Sequence, residues 1–212
     1  MSNYQWEAPV SDSKVYPIVA AGNYVGRLYS IVDLGTQHFE YDTGPKDERK
    51  MEFTFELPTE TTVFKEGEEP KPFVVSARYT LSFHEKANLT KLLKSWQGKS
   101  PTGDELRSGS WKLPDLLGLP ALVSVIHSEP NSKGKVYANI SSVTPLVKGM
   151  ECPAQVNPTV WFFLGYQGRA EDLDNKTYDE LRPFVKEMIA KSPEFQCCRE
   201  QQLKQAQPDF VK

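Results

Sequence analysis

The sequence predicts a mainly β protein with added helices, in the element order β–β–β–α–β–β followed by a helical C-terminal extension. Three observations carry this. Residues 73–99 pass from a period-2 segment, PFVVSARYTLSF, straight into a period-3.6 segment, HEKANLTKLLKSWQGK. Two strand-like runs precede that junction and two follow it. Beyond residue 146 the alternation stops, and the later apolar positions fall at helical spacing.

Residues 1–16 mix Pro, Ser and Asp with Tyr4, Trp6 and Tyr16 and show no period, so an extended arm is expected there. From Pro17, PIVAAGNYVGRLYSIVDLGTQ is rich in Val, Ile and Tyr and reads as a long first strand. Gly22 and Gly26 inside it are expected to mark a bulge or bend. The charged stretch FEYDTGPKDERK is expected to be a loop. In KMEFTFELP, Met51, Phe53, Phe55 and Leu57 alternate with Glu52, Thr54 and Glu56, which predicts a second strand with one face on a core. TETTVFKEGEEPKP is acidic and Pro-bearing, a surface loop.

In the third strand Val75, Ala77, Tyr79, Leu81 and Phe83 point inward, and Ser76, Arg78, Thr80 and Ser82 outward. In the helix that follows, Leu89, Leu92, Leu93 and Trp96 fall at i, i+3, i+4 and i+7, a single apolar stripe. Ser82 and Glu85 have capping-box spacing, and Gly98 stands where a left-handed C-terminal cap is expected. SPTGDELRSGS has loop chemistry, and WKLPDLLGLP suggests a short helical turn stopped at Gly118. ALVSVIH is the fourth strand. KVYANISSVTPL is the fifth, with Val136, Ala138 and Ile140 inward and Lys135, Tyr137 and Asn139 outward.

KGMECPAQVNPTV is expected to be a linker, and WFFLGY is open between strand and helix. Thr177 with Glu180 has capping-box spacing, Pro183 suits a first helical turn, and Phe184, Val185, Met188 and Ile189 form a stripe. Ser192-Pro193-Glu194 would start a last helix. The expected organisation is an arm at 1–16, a β domain at 17–147, and a linker with helical extension at 148–212.

Charge narrows the partner. Residues 1–70 hold 6 Lys and Arg against 13 Asp and Glu, residues 71–150 hold 11 against 5, and residues 151–212 hold 8 against 10. The middle is basic within a chain of net charge −3, compatible with a polyanion. No apolar run reaches the ~20 residues that span a bilayer, and the start, MSNYQWEAPVSDSK, lacks the features of a signal peptide. Cys152, Cys197 and Cys198, an odd number with a vicinal pair, make no disulfide framework and are expected to be reduced thiols.

Five strands with one helix between the third and fourth is the connectivity of the OB-fold, a partly open five-stranded Greek-key barrel whose face and loops bind oligonucleotides or oligosaccharides. GNYVGRLYSIVDLGTQ, YTLSFHEKANLTKLLKSWQGK and LLGLPALVSVIHSEPNSKGKVYANISSVTPL resemble the OB-fold single-stranded-DNA-binding and replication-associated proteins of tailed bacteriophages, over about residues 17–147. The resemblance implies a non-catalytic role in phage DNA replication, recombination or repair, while the missing spanning run and signal features and the cysteine usage make the cytoplasm the expected location, that of the host cell if the protein is viral. The resemblance also implies single-stranded DNA as the partner, together with replication or recombination proteins, and a homo-oligomer through the extension is compatible with it.

Binding a single strand without sequence preference needs cations for phosphates and aromatic faces for bases. The outward candidates are Arg27 and Tyr29 on the first strand, Arg49 and Lys50 at the start of the second, and Arg78 on the third. Lys133, Lys135 and Tyr137 lie at the turn and face of the fifth, and Trp111 in the loop after the helix. For Tyr29, Trp111 and Tyr137 both roles, stacking platform and packing group, are open.

Catalysis is not expected. The chain has no GxxxxGK[ST], GxGxxG, HExxH or GxSxG motif, and His38, His84 and His127 are scattered without companions at ligand spacing. No cofactor or metal is expected. The alternative is a protein-interaction module of the same fold, without direct DNA binding. Arg27, Arg78, Lys135 and Tyr137 discriminate: one open basic and aromatic track favours DNA, whereas coverage by 148–212 favours interaction.

Overall fold

A computed structural model describes residues 17–165 and 168–206. The expected arm, with Tyr4, Trp6 and Tyr16, lies outside the described residues. The protein is mainly β: the described residues form six strands in one sheet that does not close, with five α-helices. The strands are β1 (Gly22–Tyr41), β2 (Gly44–Thr62), β3 (Lys71–Thr80), β4 (Pro120–His127), β5 (Ala138–Thr144) and β6 (Val160–Phe162). The order across the sheet is β3-β2-β1-β4-β5, antiparallel throughout, and β6 adds to β1 in parallel. The helices are α1 (Asn88–Gln97), α2 (Gly103–Ser108), α3 (Asn175–Glu180), α4 (Pro183–Ala190) and α5 (Pro193–Ala206).

β1 pairs with β2, β4 and β6 because it is long and irregular, with register shifts at 28–30 and 33–35. The second shift ends at Gly35, in left-handed backbone, where a Cβ would collide with Ser192. Neither expected bend point, Gly22 nor Gly26, has positive φ. Gly26 serves close packing instead, since a Cβ there would stand 2.9 Å from the Val123 side chain. The shifts let one strand feed two cores. Leu28 and Ile31 join β2, α1 and β4 in the first; Val32 and Leu34 join Phe162, Val185, Ile189 and Phe195 in the second.

The stretch 39–50, expected as a loop, is instead a continuation of β1 and β2 around a two-residue turn at Asp42 and Thr43. Its charges are cross-strand partners. His38 faces Asp47 at 2.8 Å, and Lys50 lies 4.8 Å from the Phe39 ring centre. At the other end β2 runs on to Thr62 through a bulge at 57–61.

α1 buries Leu89, Leu92, Leu93 and Trp96, the stripe read from the spacing, and ends at Gly98 in the left-handed conformation. Trp96 meets Phe55 edge-on at 5.5 Å and donates its indole N–H to Pro120 O. The helix starts later than Ser82 suggests: Ala87 is the N-cap and no side chain caps it. Ser82 Oγ instead accepts from His84 N in a preceding turn. The capping box belongs to Thr102 and Glu105, which makes a helix, α2, of the expected loop. A 3-10 turn at Leu113–Leu116 leads past Gly118 into β4.

Strand is the outcome for residues 160–162. α3 is capped by Asp174, which accepts from Thr177 N, so the Thr177 cap is replaced by a residue three positions earlier. Val185 and Ile189 of α4 are buried, whereas Phe184, expected in the same stripe, faces out. Among the described residues no helix is long and apolar enough to cross a membrane.

Candidate nucleic-acid interface

The two candidate surfaces are the outer face of β1 and β2 and the seam between β3 and β5. Alternation predicts that Glu52, Thr54 and Glu56 face water, yet all three are buried. The extension lies over them. Glu56 accepts 2.8 Å hydrogen bonds from Val156 N, Asn157 N and Asn157 Nδ2. Asp33, also buried, pairs with Arg49 and accepts from Gly35 N and Leu164 N. The Glu194 carboxylate at the start of α5 accepts from Thr36 N at 2.9 Å and Thr36 Oγ1 at 2.5 Å. Four carboxylates on two chain segments thus share one surface, and each meets donors from the other segment.

This coverage engages the candidates on β1 and β2. Arg27 donates to the carbonyls of Gly118, Cys152 and Pro153 at 2.5–3.2 Å. Tyr29 is half-buried; burial pushes its phenol up, Arg182 opposes that, and Glu56 and Glu52 add to it. Arg49 also donates to Gly165 O at 2.6 Å and lies over the Phe163 ring. Lys50 bonds Glu48 at 2.6 Å and Thr80 at 2.9 Å. Lys50 first, then Lys46, hold the Glu48 carboxyl at about 2, with burial opposing and Thr80 assisting. Arg27 and Arg49 fasten the extension, and Lys50 ties the hairpin to β3.

The seam is different. β3 and β5, the ends of the sheet path, approach without forming a ladder, and a cleft of about 790 Å³ opens between them. Its walls include Arg78 of β3, Tyr137 and Asn139 at β5, and Arg182 and Phe184 at the start of α4, with Glu52 at its floor. Glu52 accepts from Arg78 Nε at 3.0 Å and from Arg182 Nη2. The Arg78 guanidinium lies 5.1 Å from the Phe184 ring centre. Glu52 is 3% exposed, but the side chains of Arg78 and Arg182 are 39% and 57% exposed. Tyr137 and Phe184 are 52% and 57% exposed. Two outward guanidiniums over one buried carboxylate leave a net positive site flanked by open rings, suited to an anion beside a planar group.

Tyr137 stands just before β5, not within it. Its N–H donates to Ser128 Oγ and its carbonyl accepts from Ser128 N. Lys133 and Lys135 lie exposed in the same connection, where Asn131 Oδ1 accepts both of their backbone N–H groups. Neither ammonium has a carboxylate partner among the described residues. Trp111 packs edge-on against Phe83 at 5.6 Å and is not part of the cleft wall.

The structure thus brings Arg78 and Tyr137 to one cleft and puts Arg27, Tyr29, Arg49 and Lys50 among internal contacts. Glu52, Arg182 and Phe184 were missed. For Phe184 a signal existed: Val185, Met188 and Ile189 complete a helical stripe by themselves and leave Phe184 at its edge. Among the described residues no group of three or more His, Cys, Asp and Glu side chains is placed to hold a metal. No protein-family model matches the chain, and a search of curated proteins returns no match.

Proposed function

We propose that the protein is an OB-fold single-stranded-DNA-binding protein that holds the strand in the cleft between β3 and β5 and performs no catalysis. A β1 shared among three partners, a helix between the third and fourth strands, and facing but unladdered β3 and β5 support the fold assignment. The observation that carries the function is the juxtaposition, in one open cleft, of Arg78 and Arg182 with the exposed rings of Tyr137 and Phe184. Cations neutralise phosphates and release counterions, and rings accept unpaired bases of any identity. Lys133 and Lys135 extend the positive surface along the β4–β5 connection. The role that fits is replication, recombination or repair of DNA, phage DNA by the resemblance of residues 17–147.

A second reading, a protein-interaction module, is favoured by one observation: the outer face of β1 and β2 is covered by the extension. Titration of a fluorescein-labelled oligonucleotide at several salt concentrations separates the two. The proposal expects binding with little sequence preference that weakens steeply with salt, and weak competition by duplex of the same length. Absence of binding at low salt would overturn the proposal and leave the interaction reading.

A further inference from the structure

We infer that Arg78 and Arg182 form one phosphate-binding subsite and that Glu52 is its positioning residue, so that the cleft is completed by α4 and not by the sheet alone. This rests on the single-strand reading above, the anion being a phosphodiester of the bound strand. Each oxygen of the Glu52 carboxylate fixes one guanidinium: Oε2 takes Nε of Arg78, and Oε1 takes Nη2 of Arg182. A guanidinium carries five N–H donors. Arg78 commits its Nε–H here, and Arg182 adds only a 3.5 Å contact to Ser76 Oγ. Among the described residues nothing else accepts from either, so most of both forks is available.

Arg78 is held by a second contact as well. Phe184 stacks on Arg78, and Pro183 occupies the first turn of α4 between Arg182 and Phe184. A phosphodiester offers two non-bridging oxygens, and paired guanidinium forks match that geometry where a single lysine would supply only a point charge. The three residues come from β2, β3 and the N-cap of α4, 26 and 130 positions from Glu52 in sequence. They meet only when the extension is docked, which the bonds to Asp33, Glu56 and Glu194 secure. Docking of the extension and binding of the strand are therefore linked.

Glu52→Gln gives a test with opposite signs. It removes the negative charge facing the two cations, so charge alone would tighten binding to a polyanion. If Glu52 positions the arginines, affinity falls instead, because the amide NH₂ cannot accept from a guanidinium. The affinity and salt slope of wild type, E52Q, R182Q, R182K and Y137A for a fluorescein-labelled oligothymidylate are compared, with circular dichroism as the check on folding. E52Q is expected to bind about tenfold or more weakly. R182Q should also weaken binding and flatten the salt slope by about 0.7, and R182K should keep the slope without restoring affinity. E52Q binding as tightly as wild type, or more tightly, overturns the positioning role. An unchanged R182Q overturns the subsite, and with Y137A still weakened the single-strand reading survives that failure. Wild type that binds no oligonucleotide overturns both, and should E52Q fail to fold, R182Q and R182K decide.

Discussion

The outer face of β1 and β2 and the cleft between β3 and β5 carry the same residue types, arginines beside acids and aromatics, yet one is structural and the other available. The difference is the ratio of donors to acceptors. On β1 and β2 Arg27 meets three carbonyls and Arg49 meets Asp33, Gly165 and Glu194, so chain groups take up what the guanidiniums offer. At the cleft one carboxylate serves two arginines. Outward on a strand is therefore not the same as open to a ligand. A cation is available to a phosphate where the fold supplies fewer acceptors than donors.

The comparison breaks most visibly at Asp33. Asp33→Ala removes the buried carboxylate that Arg49 pairs with and the acceptor of Gly35 N and Leu164 N, and is expected to cost ~3–5 kcal/mol in denaturant unfolding, with oligonucleotide affinity of the folded fraction unchanged. Lost affinity at full stability would make the covered face a binding site. Tyr137→Ala is its mirror image: ~1–3 kcal/mol of binding, one stack, with the unfolding midpoint held. Melting without a change in affinity would return Tyr137 to packing. Arg27→Gln leaves carbonyls of Cys152 and Pro153 without their donor and should cost ~1–2 kcal/mol of stability, read by thermal unfolding at fixed salt.

The smallest effect is acid sensitivity at Glu194. Burial pushes its carboxyl up, but the Thr36 hydroxyl and amide, helped by Arg49, outweigh burial and leave it below the ordinary range. A depressed folded value makes the contribution full above the unfolded pKa of ~4.3 and lost as pH falls through the folded one. The stability gap between wild type and Glu194→Gln should thus narrow below pH ~4.3. A gap that stays constant from neutral pH into acid would remove Glu194 from the clasp.

Much of the sheet and α1 was legible because their inward residues obey simple periods: Met51, Phe53, Phe55 and Leu57 on β2, and Leu89, Leu92, Leu93 and Trp96 on α1, need only local spacing to be placed. The hairpin at 39–50 was not, since cross-strand pairs such as His38 with Asp47 give it the composition of a loop. Nor was the covered face. Glu52, Thr54 and Glu56 alternate as solvent-side residues do, and only tertiary partners from 156 to 182 show otherwise. Of the cleft, Arg78 and Tyr137 were readable from alternation. Phe184 was readable only as the edge of its helical stripe, and Arg182 was not, because its place depends on how α4 docks, 130 residues from Glu52.

The most direct measurement is the slope of log affinity against log salt for one oligonucleotide with Arg78→Gln and Arg27→Gln side by side. Each phosphate contact on a single strand contributes about 0.7 to that slope. Binding in the cleft predicts a slope flatter by about that amount for Arg78→Gln and a wild-type slope for Arg27→Gln. A flattened slope for Arg27→Gln with Arg78→Gln unchanged would put the strand on the outer face of β1 and β2 and contradict the account.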